Sequence, residues 1–426
     1  MIGCQIHNFA KKLWKINRSI TGEGVRETLE KIKKEHLQYL NIESVPSGTK
    51  VFDWVVPLEW HVSEAYIITP GGKKICDFSI NNLHLVGYSI PFQGKMRLGE
   101  LQQYLHSLHE QPSAIPYVTS YYEKRWGFCL TQEQRDLLEE GEYEVVVNSK
   151  LFEGHLNYGE LVLPGESEQE IFLSTYICHP SMANNELSGL TVATYLAKWL
   201  SELKVRRYTY RFIFIPETIG SITYLSKNYI HLKKKVFAGF NISCVGDERS
   251  YSYLPSRNGN TISDKVAKHV LKWIDPDYKC WTWLDRGSDE RQYCSPGIDL
   301  PIASILRTKY GQYPEYHTSL DNLDNVVTPK GLDGGYWALR KALEIIEKNK
   351  IYKVNILCEP QLGRRGLYPT LSTKKLDQEV RTMMNLLSLC DGEHSLLDIA
   401  EKINLPAWDL YELVDKLILH DLISLK

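Results

Sequence analysis

Residues 170–203 of this chain read EIFLSTYICHPSMANNELSGLTVATYLAKWLSEL. The first nine residues are mostly apolar and predict a buried strand, whereas apolar residues recur at helical spacing from Gly189 onward. A loop that begins at His179 joins the two. A strand that runs directly into a loop and then a helix is typical of an α/β fold with parallel strands.

The same alternation continues along the chain. Predicted strands recur at RRYTYRFIFIP (206–216), VFAGFNISCV (236–245) and PIASILR (301–307), and amphipathic helices lie between them. Because strands that alternate with helices usually pair side by side in parallel, we predict a mixed, largely parallel sheet flanked by helices.

The periodicity changes at both ends of this region. Residues 48–147 alternate apolar and polar side chains, and Gly and Pro residues interrupt this alternation. The pattern predicts a β-rich domain that is inserted into a discontinuous main domain of residues 1–47 and 148–358. Residues 359–372 are rich in Pro and Gly and are interpreted as a linker. Residues 373–426 carry two predicted helices and a terminal apolar strand, which is typical of a winged helix-turn-helix.

The bulk composition narrows the class of protein. The chain has 426 residues, 43% of them hydrophobic, and a formal net charge of −2. These values are ordinary for a globular protein, and the net charge is not positive, as it would need to be to attract nucleic acid or an anionic membrane. The nine cysteines are spaced singly, which favours reduced thiols and a cytoplasmic location. No apolar run is long enough for a signal peptide or a membrane span.

The C-terminal segment 373–426 carries 6 Lys and Arg against 10 Asp and Glu. Nucleic-acid binding depends on basic side chains that contact phosphates, and the predicted second helix instead offers Asp409, Glu412 and Asp415. We therefore expect a module for packing or homo-oligomerisation, with neither nucleic acid nor a membrane as a partner.

Four loops of the predicted sheet carry chemically reactive side chains. His179, Glu217 and Asp247 follow strands directly, and His317 lies in a further loop. In open α/β sheets, functional residues collect in loops at the carboxyl ends of the strands. Imidazole and carboxylate groups are the ligands of hydrolytic zinc sites, in which three protein ligands leave one position for water. The pattern predicts a metal site formed from these residues.

The motifs around these residues resemble those of a known superfamily. In chain order they are His179 with NNELSG (184–189), PETIGS (216–221), VGD (245–247) and YHTSLD (316–321). This order resembles that of the co-catalytic zinc aminopeptidases and carboxypeptidases. The resemblance implies a zinc-exopeptidase-like fold and a metal-dependent hydrolase of a peptide or amide bond, in which a metal-activated water attacks the carbonyl. The substrate would be a peptide or an amide-containing small molecule.

Other segments are similar to one subfamily within that group. RSITGEG (18–24), the pairs DW (53–54) and EW (59–60), and PQLGRR (360–365) resemble an aminopeptidase-like subfamily with an inserted domain and a C-terminal winged helix. Members of that subfamily are associated with polysaccharide biosynthesis. The resemblance covers nearly the whole chain.

The resemblance also implies roles for individual residues. The carboxylate that bridges two zinc ions in the superfamily aligns with Asn185, so we expect one zinc ion rather than two. Glu217 aligns with the catalytic and metal-binding carboxylates, and Glu186 is a second candidate base because it is the nearest carboxylate in its loop. Four further residues are candidates for substrate binding: Arg286, Asp289, Arg291 and Tyr316.

Alternative functions remain open at this stage. The loss of the bridging Asp also fits a non-catalytic binding protein on a degenerate peptidase scaffold. A transcription regulator with a ligand-sensing domain would need a more basic C-terminal module. A thiol dyad of Cys178 and His179 is disfavoured because adjacent residues of a strand point to opposite faces.

Overall fold

The computed structural model describes residues 1–367 and 374–426, so residues 368–372 of the predicted linker lie outside the described residues. The strands are β1 Asn41–Pro46, β2 Lys50–Val51, β3 Trp54–Val55, β4 Glu59–Ile68, β5 Lys74–Ile75, β6 Phe92–Arg97, β7 Leu105–His106, β8 Phe128–Cys129, β9 Glu142–Phe152, β10 His155–Leu163, β11 Ser167–Tyr176, β12 Tyr208–Ile215, β13 Val236–Asn241, β14 Ser252–Leu254, β15 Lys279–Cys280, β16 Ile302–Leu306, β17 Ile351–Val354, β18 Asp391–Ser395 and β19 Ile423–Leu425. The helices are α1 Ile2–Leu13, α2 Glu23–Glu35, α3 Leu98–Leu101, α4 Gln132–Asp136, α5 Ser188–Glu202, α6 Ile219–Lys235, α7 Ile262–Ile274, α8 Glu290–Tyr293, α9 Pro329–Lys348, α10 Lys374–Leu389, α11 Leu396–Ile403 and α12 Tyr411–Leu419.

The central sheet has the strand order β1-β10-β12-β11-β13-β16-β14-β15. The inner pairs β11–β12, β11–β13 and β13–β16 are parallel, whereas β1–β10, β10–β12 and β14–β16 are antiparallel. Phe172, Phe212 and Phe240 on the inner strands are fully buried, as expected for strands that helices cover on both faces. The predicted mixed, largely parallel sheet flanked by helices is confirmed.

The parallel strands bring the loops that follow them to the same edge of the sheet. β11 ends at Tyr176 and β12 at Ile215. The loop after β11 passes through one π-helical turn, Ala183–Leu187, before α5 begins. Gly189 is required in that helix because an added Cβ would lie 2.4 Å from the backbone oxygen of Ile242. The missing side chain therefore lets α5 approach the loop after β13.

The segment that was predicted to be inserted forms its own antiparallel sheet, in the order β5-β4-β9-β6. In the described part of the chain, none of the strands β2 to β9 pairs with the central sheet. Strand β9 continues to Phe152, beyond the expected limit at residue 147. Trp60, Tyr143 and Val145 are buried in the apolar core on this sheet.

The chain divides into two compact units, which are residues 1–264 with 278–337 and residues 265–277 with 338–426. The first unit contains the central sheet and the inserted sheet. The second contains a three-stranded sheet in the order β18-β17-β19. Among the described residues, every helix is too short or too polar to cross a membrane.

The second unit begins earlier in the chain than the sequence pattern suggested. Strand β17 precedes the expected linker, yet it pairs antiparallel with both β18 and β19. Helix α7 contributes His269, whose ring lies against Glu401 and whose Nε2 accepts a hydrogen bond of 2.9 Å from the backbone N–H of Ala407. A pair of short helices buries little apolar surface by itself, so this winged helix includes further elements from the preceding chain.

Candidate active site

A pocket of about 330 Å³ lies where the loops after β11 and β12 meet the inserted segment. Ligand pockets usually span about 300–1,000 Å³, so this one suits a small molecule or the end of a peptide. Its lining combines reactive side chains that follow the sheet with aromatic side chains of the insert. The lining residues are Ile20, Trp54, Tyr117, Thr119, Tyr121, Tyr122, Cys178, His179, Glu217, Thr218, Ile219 and His317.

His179 lies between two carboxylates in this pocket. Its Nε2 is 3.9 Å from Oε2 of Glu217, and its Nδ1 is 3.3 Å from Oε2 of Glu186. The backbone N–H of His179 also donates to Glu186, whose other oxygen forms an ion pair with Arg18. A carboxylate behind one ring nitrogen orients the opposite nitrogen toward a metal or a ligand. Nε2 of His179 is therefore the atom available to the pocket.

The position of Glu186 corrects the expectation that it could act as a base. Its side chain has no exposed surface, it does not line the pocket, and both of its oxygens are engaged by Arg18 and His179. A base must reach the proton that it removes. Glu186 instead orients His179, and among the lining residues Glu217 is the carboxylate that faces the pocket.

His317 completes the imidazole pair of the pocket. Its ring centroid lies 5.5 Å from that of His179, and its Nε2 lies 3.3 Å from Nδ2 of Asn185. The ring of Tyr316 stacks on it at 3.9 Å, and Tyr117 N–H donates to its backbone oxygen over 2.9 Å. Burial lowers the pKa of His317 to about 3, and the neighbouring imidazole of His179 contributes in the same direction. The ring therefore remains neutral near pH 7, which leaves a lone pair for a ligand.

Asp247 is not brought to the pocket, which corrects its assignment as a metal ligand. Its Oδ1 accepts hydrogen bonds from Arg249 N–H at 2.9 Å and from the Thr308 hydroxyl at 2.6 Å. Its Oδ2 accepts from Asn184 Nδ2 at 3.0 Å and from Thr308 N–H at 2.9 Å. The buried carboxylate is therefore saturated by donors that join three loops, and its role is structural.

We expect Asp247→Asn to lower the free energy of unfolding by about 2–3 kcal/mol. The substitution replaces one acceptor oxygen by an NH2 group that faces other donors, and hydrogen bonds to charged groups contribute about 1.5–3 kcal/mol each. Urea denaturation measures the change. Asp53→Asn, at an exposed position, serves as the control. An Asp247→Asn protein that kept its stability but lost bound zinc would restore Asp247 as a ligand.

The loop 285–293 supports the pocket from behind and does not line it. Asp289 is buried and accepts from Thr218 N–H and from the Ser221 hydroxyl, each at 2.8 Å. Arg291 donates to the Thr218 hydroxyl at 3.0 Å, whereas Arg286 is exposed and stacks on Trp283. Burial and the neighbouring charge of Glu217 raise the pKa of Asp289.

Contact of this loop with a substrate stays a prediction. Arg286, Asp289 and Arg291 do not line the pocket, and Tyr316 contributes by stacking on His317. Asp289 and Arg291 hold the turn that follows Glu217. Their effect on a ligand would be indirect, through the position of that carboxylate.

Several loop residues at this edge of the sheet have backbone conformations that are unusual for non-glycine residues. Ser181, Thr218, Cys244 and His317 have φ values of 48°, 62°, 50° and 56°. Such conformations cost about 1–3 kcal/mol each and are concentrated at functional sites. No local sequence signal marks them, because none of the four is glycine or asparagine.

Cys178 lines the same pocket as His179, which contradicts the expectation that their side chains point apart. Its Sγ lies 3.4 Å from Nδ1 of His179 and accepts from Glu217 N–H at 3.2 Å. Strand β11 ends at Tyr176, so the alternation of a strand does not extend to these residues. Burial raises the pKa of the Cys178 thiol to about 11. The thiol is thus protonated near pH 7, which does not favour a nucleophilic role.

The aromatic part of the pocket was not identified from the sequence. Trp54 and Tyr122 form an edge-to-face pair with ring centroids 5.7 Å apart, and both are substantially exposed. The hydroxyls of Tyr117 and Tyr121 lie 3.1 Å apart. The aromatic-rich run YVTSYYEKRW (117–126) was the available signal, but its composition equally suits a strand.

The pocket holds residue types that bind zinc in hydrolytic sites. His179, Glu217 and His317 supply two imidazoles and a carboxylate to one pocket, which is the ligand number of a hydrolytic zinc site. Asn185 lies beside His317, with its Nδ2 3.3 Å from Nε2 of the imidazole. Among the described residues, one group of three has possible metal-ligand atoms within 4.8 Å of one another, namely Cys178, His179 and Glu186. Because Glu186 is already paired with Arg18, we assign it a supporting place behind His179.

Comparison with known proteins places the chain in a family. The sequence model of the family described as domain of unknown function DUF4910 matches residues 7–349. The chain belongs to this family. A winged helix-turn-helix model matches residues 350–425 of this DUF4910 chain, in agreement with the position of β17.

Relatives of this DUF4910 chain have been described by sequence and by structure. A Clostridium acetobutylicum protein, provisionally named a polysaccharide biosynthesis protein with an aminopeptidase-like domain, is 46% identical over 94% of this chain and 91% of its own length. The crystal structure of a provisionally assigned peptidase from Clostridium acetobutylicum has a TM-score of 0.93 at 43% identity and covers 100% of this chain and 97% of that one.

A zinc aminopeptidase from Bacillus subtilis, BSAP, has a TM-score of 0.57 at 13% identity, covering 81% of this chain and 94% of that enzyme. At this identity, the likeness shows the fold alone. This chain therefore shares the fold of that enzyme, and the chemistry must be argued from its own pocket.

Proposed function

We propose that this protein is a metal-dependent hydrolase of a peptide or amide bond, with one zinc ion held by His179, Glu217 and His317. The observation that carries the proposal is the pairing of His179 Nε2 with the Glu217 carboxylate, 3.9 Å apart, in a pocket that a second imidazole completes. Glu186 supports it, since a buried carboxylate behind Nδ1 is the usual companion of a metal-binding histidine.

The residues of the pocket can divide the work of amide hydrolysis. A zinc ion, when bound, polarises a carbonyl and lowers the pKa of water. Glu217 would hold the ion through one carboxylate oxygen, and its second oxygen would be left to accept a proton from water and return it to the leaving nitrogen. The aromatic side chains of the insert line one side of the pocket, where they can contact the substrate.

The name of the clostridial relative suggests a narrower substrate. That protein is named for polysaccharide biosynthesis, and we infer that an amide in a saccharide precursor is one substrate of this chain. Aromatic side chains present apolar faces on which a sugar ring as well as an aromatic side chain can pack. The substrate panel should accordingly contain amino-acyl arylamides and amide-bearing amino sugars.

A binding protein on a degenerate scaffold is the second candidate. The observations that favour it are Asn185 at the place of the bridging carboxylate and the inward orientation of Asp247. Elemental analysis of protein purified without chelator, followed by the substrate panel with and without added zinc, separates the two. Failure to retain zinc and to hydrolyse any member would support the binding protein.

We expect Trp54→Ala to raise KM for the best substrate about 3–10-fold with little change in kcat, because aromatic contacts contribute about 0.5–1.5 kcal/mol and the indole supplies neither a metal ligand nor an acid or base. Steady-state kinetics measure both constants. Trp337 is also 40% exposed, like Trp54, but does not line the pocket, so Trp337→Ala is a matched control. A fall in kcat with KM unchanged would contradict a role in substrate binding.

A further inference from the structure

Arg18 is fully buried, and its contacts lead to the pocket. Its Nε pairs with Oε1 of Glu186, and its Nη1 donates to the backbone oxygen of Leu13 at 2.8 Å. The other oxygen of Glu186 receives the backbone N–H of His179 and lies 3.3 Å from Nδ1 of the same residue. A continuous chain of polar contacts thus runs from the end of α1, through Arg18 and Glu186, to the imidazole.

The motif RSITGEG places Arg18 in this position. Gly24 lies in the first turn of α2 against the segment that carries Arg18, and an added Cβ would lie 1.9 Å from the backbone oxygen of Asn17. Gly22 has a φ of 110°, and a Cβ there would lie 2.7 Å from the backbone oxygen of Trp60. Both glycines allow a close approach of backbone segments that any other residue would prevent.

The ion pair is poorly explained by stability alone. Both Arg18 and Glu186 have no exposed surface, and removing two charges from water costs several kcal/mol per ion. Nη2 of Arg18 has no hydrogen-bond partner within residues 1–367 and 374–426, which adds to that cost. Apolar residues of similar volume are often at least as stable in such a place. The pair is better explained by what it does to His179.

We propose that Arg18 is a positioning residue for His179. By holding Glu186 in one place, it fixes the orientation of the imidazole, with Nδ1 toward Glu186 and Nε2 toward the pocket. The inference deepens the proposed function, on which its consequence for zinc binding rests. The orientation of the ring itself does not depend on zinc.

The first test measures zinc affinity by competition with a chelator. Arg18→Met is expected to weaken zinc binding about 10–100-fold, the usual effect of losing a group that orients a metal ligand. Arg26→Met is the matched control. Arg26 also forms an ion pair with a carboxylate, that of Glu59 at 2.6 Å, but within residues 1–367 and 374–426 its hydrogen bonds and ion pairs involve no pocket-lining residue. Adding Glu186→Gln to Arg18→Met should cause little further loss, since both changes interrupt the same chain of contacts.

The second test follows the Nδ1 proton of His179 by ¹⁵N NMR of histidine-labelled, metal-free protein. In the unmodified protein this proton should exchange slowly with solvent. Arg18→Lys keeps the positive charge but cannot contact both Glu186 and the backbone oxygen of Leu13 as the guanidinium does, so the exchange should be faster in this variant. If Arg18→Met fails to fold, Arg18→Lys supplies both measurements. Unchanged exchange in a folded Arg18 variant would overturn the proposal. Absence of zinc binding by the unmodified protein, with the NMR result as expected, would instead reject only the proposed hydrolase.

Discussion

Glu217→Gln is expected to lower kcat/KM for an amide substrate about 10²–10⁴-fold, the usual contribution of a positioned acid or base. Glu217 is the carboxylate of the pocket lining, and Glu186 and Asp247 are both engaged elsewhere. The amide has nearly the same shape as the carboxylate but can neither accept a proton nor bind zinc as an anion. Hydrolysis of the best arylamide or amino-sugar amide, measured at saturating zinc, gives the ratio.

Glu160→Gln is a suitable control for Glu217→Gln. The two glutamate side chains are equally exposed at 22%, and Glu160 pairs with Arg211 in the central sheet, away from the pocket lining. The control should retain activity within about twofold, as for a substitution outside the site. Equal losses in both variants would indicate a general effect on folding, and undiminished activity of Glu217→Gln would reject the proposed role.

His179→Ala and His317→Ala are each expected to abolish stoichiometric zinc binding, from about one ion per chain to a small residual fraction, because three protein ligands are the minimum for a hydrolytic site. His179 and His317 lie with ring centroids 5.5 Å apart in one pocket. Elemental analysis after dialysis against a zinc buffer measures the occupancy. His231→Ala, whose ring is half-exposed and pairs with Glu170, is the control and should keep the ion.

Two outcomes of the zinc measurement would contradict the assigned ligands. Full occupancy in His317→Ala would mean that His179 and Glu217 bind the ion with another donor, for which Cys178 is the nearest candidate. Loss of the ion from Asp247→Asn, in protein that remained as stable as the original chain, would mean that the interior position of Asp247 changes on metal binding.

Much of the fold could be predicted from the sequence because its signals are local. The strand that ends near Cys178 and the helix that begins near Gly189 each depend on the spacing of apolar residues over ten to twenty positions. The rule that parallel strands present their following loops at one edge then located His179 and Glu217 in the same pocket.

The roles of the carboxylates could not be predicted in this way, because they depend on partners that are distant in the sequence. Glu186 is paired with Arg18, which lies 168 residues away, and Asp247 is bonded to Asn184 and Thr308, which lie 63 and 61 residues away. A carboxylate in a loop has the same local pattern whether it faces a pocket or a buried cation.

The sequence by itself determined the order of strands and helices, the acidic winged helix and the place where reactive loops converge, since periodicity, net charge and strand polarity are properties of contiguous residues. Only the tertiary structure decided which side chains face the pocket. Burial of Arg18 took Glu186 out of reach of a substrate, the end of β11 at Tyr176 turned Cys178 toward His179, and the insert contributed the aromatic side chains opposite them. Each of these outcomes depends on how distant segments exclude water from one another, which no local pattern encodes.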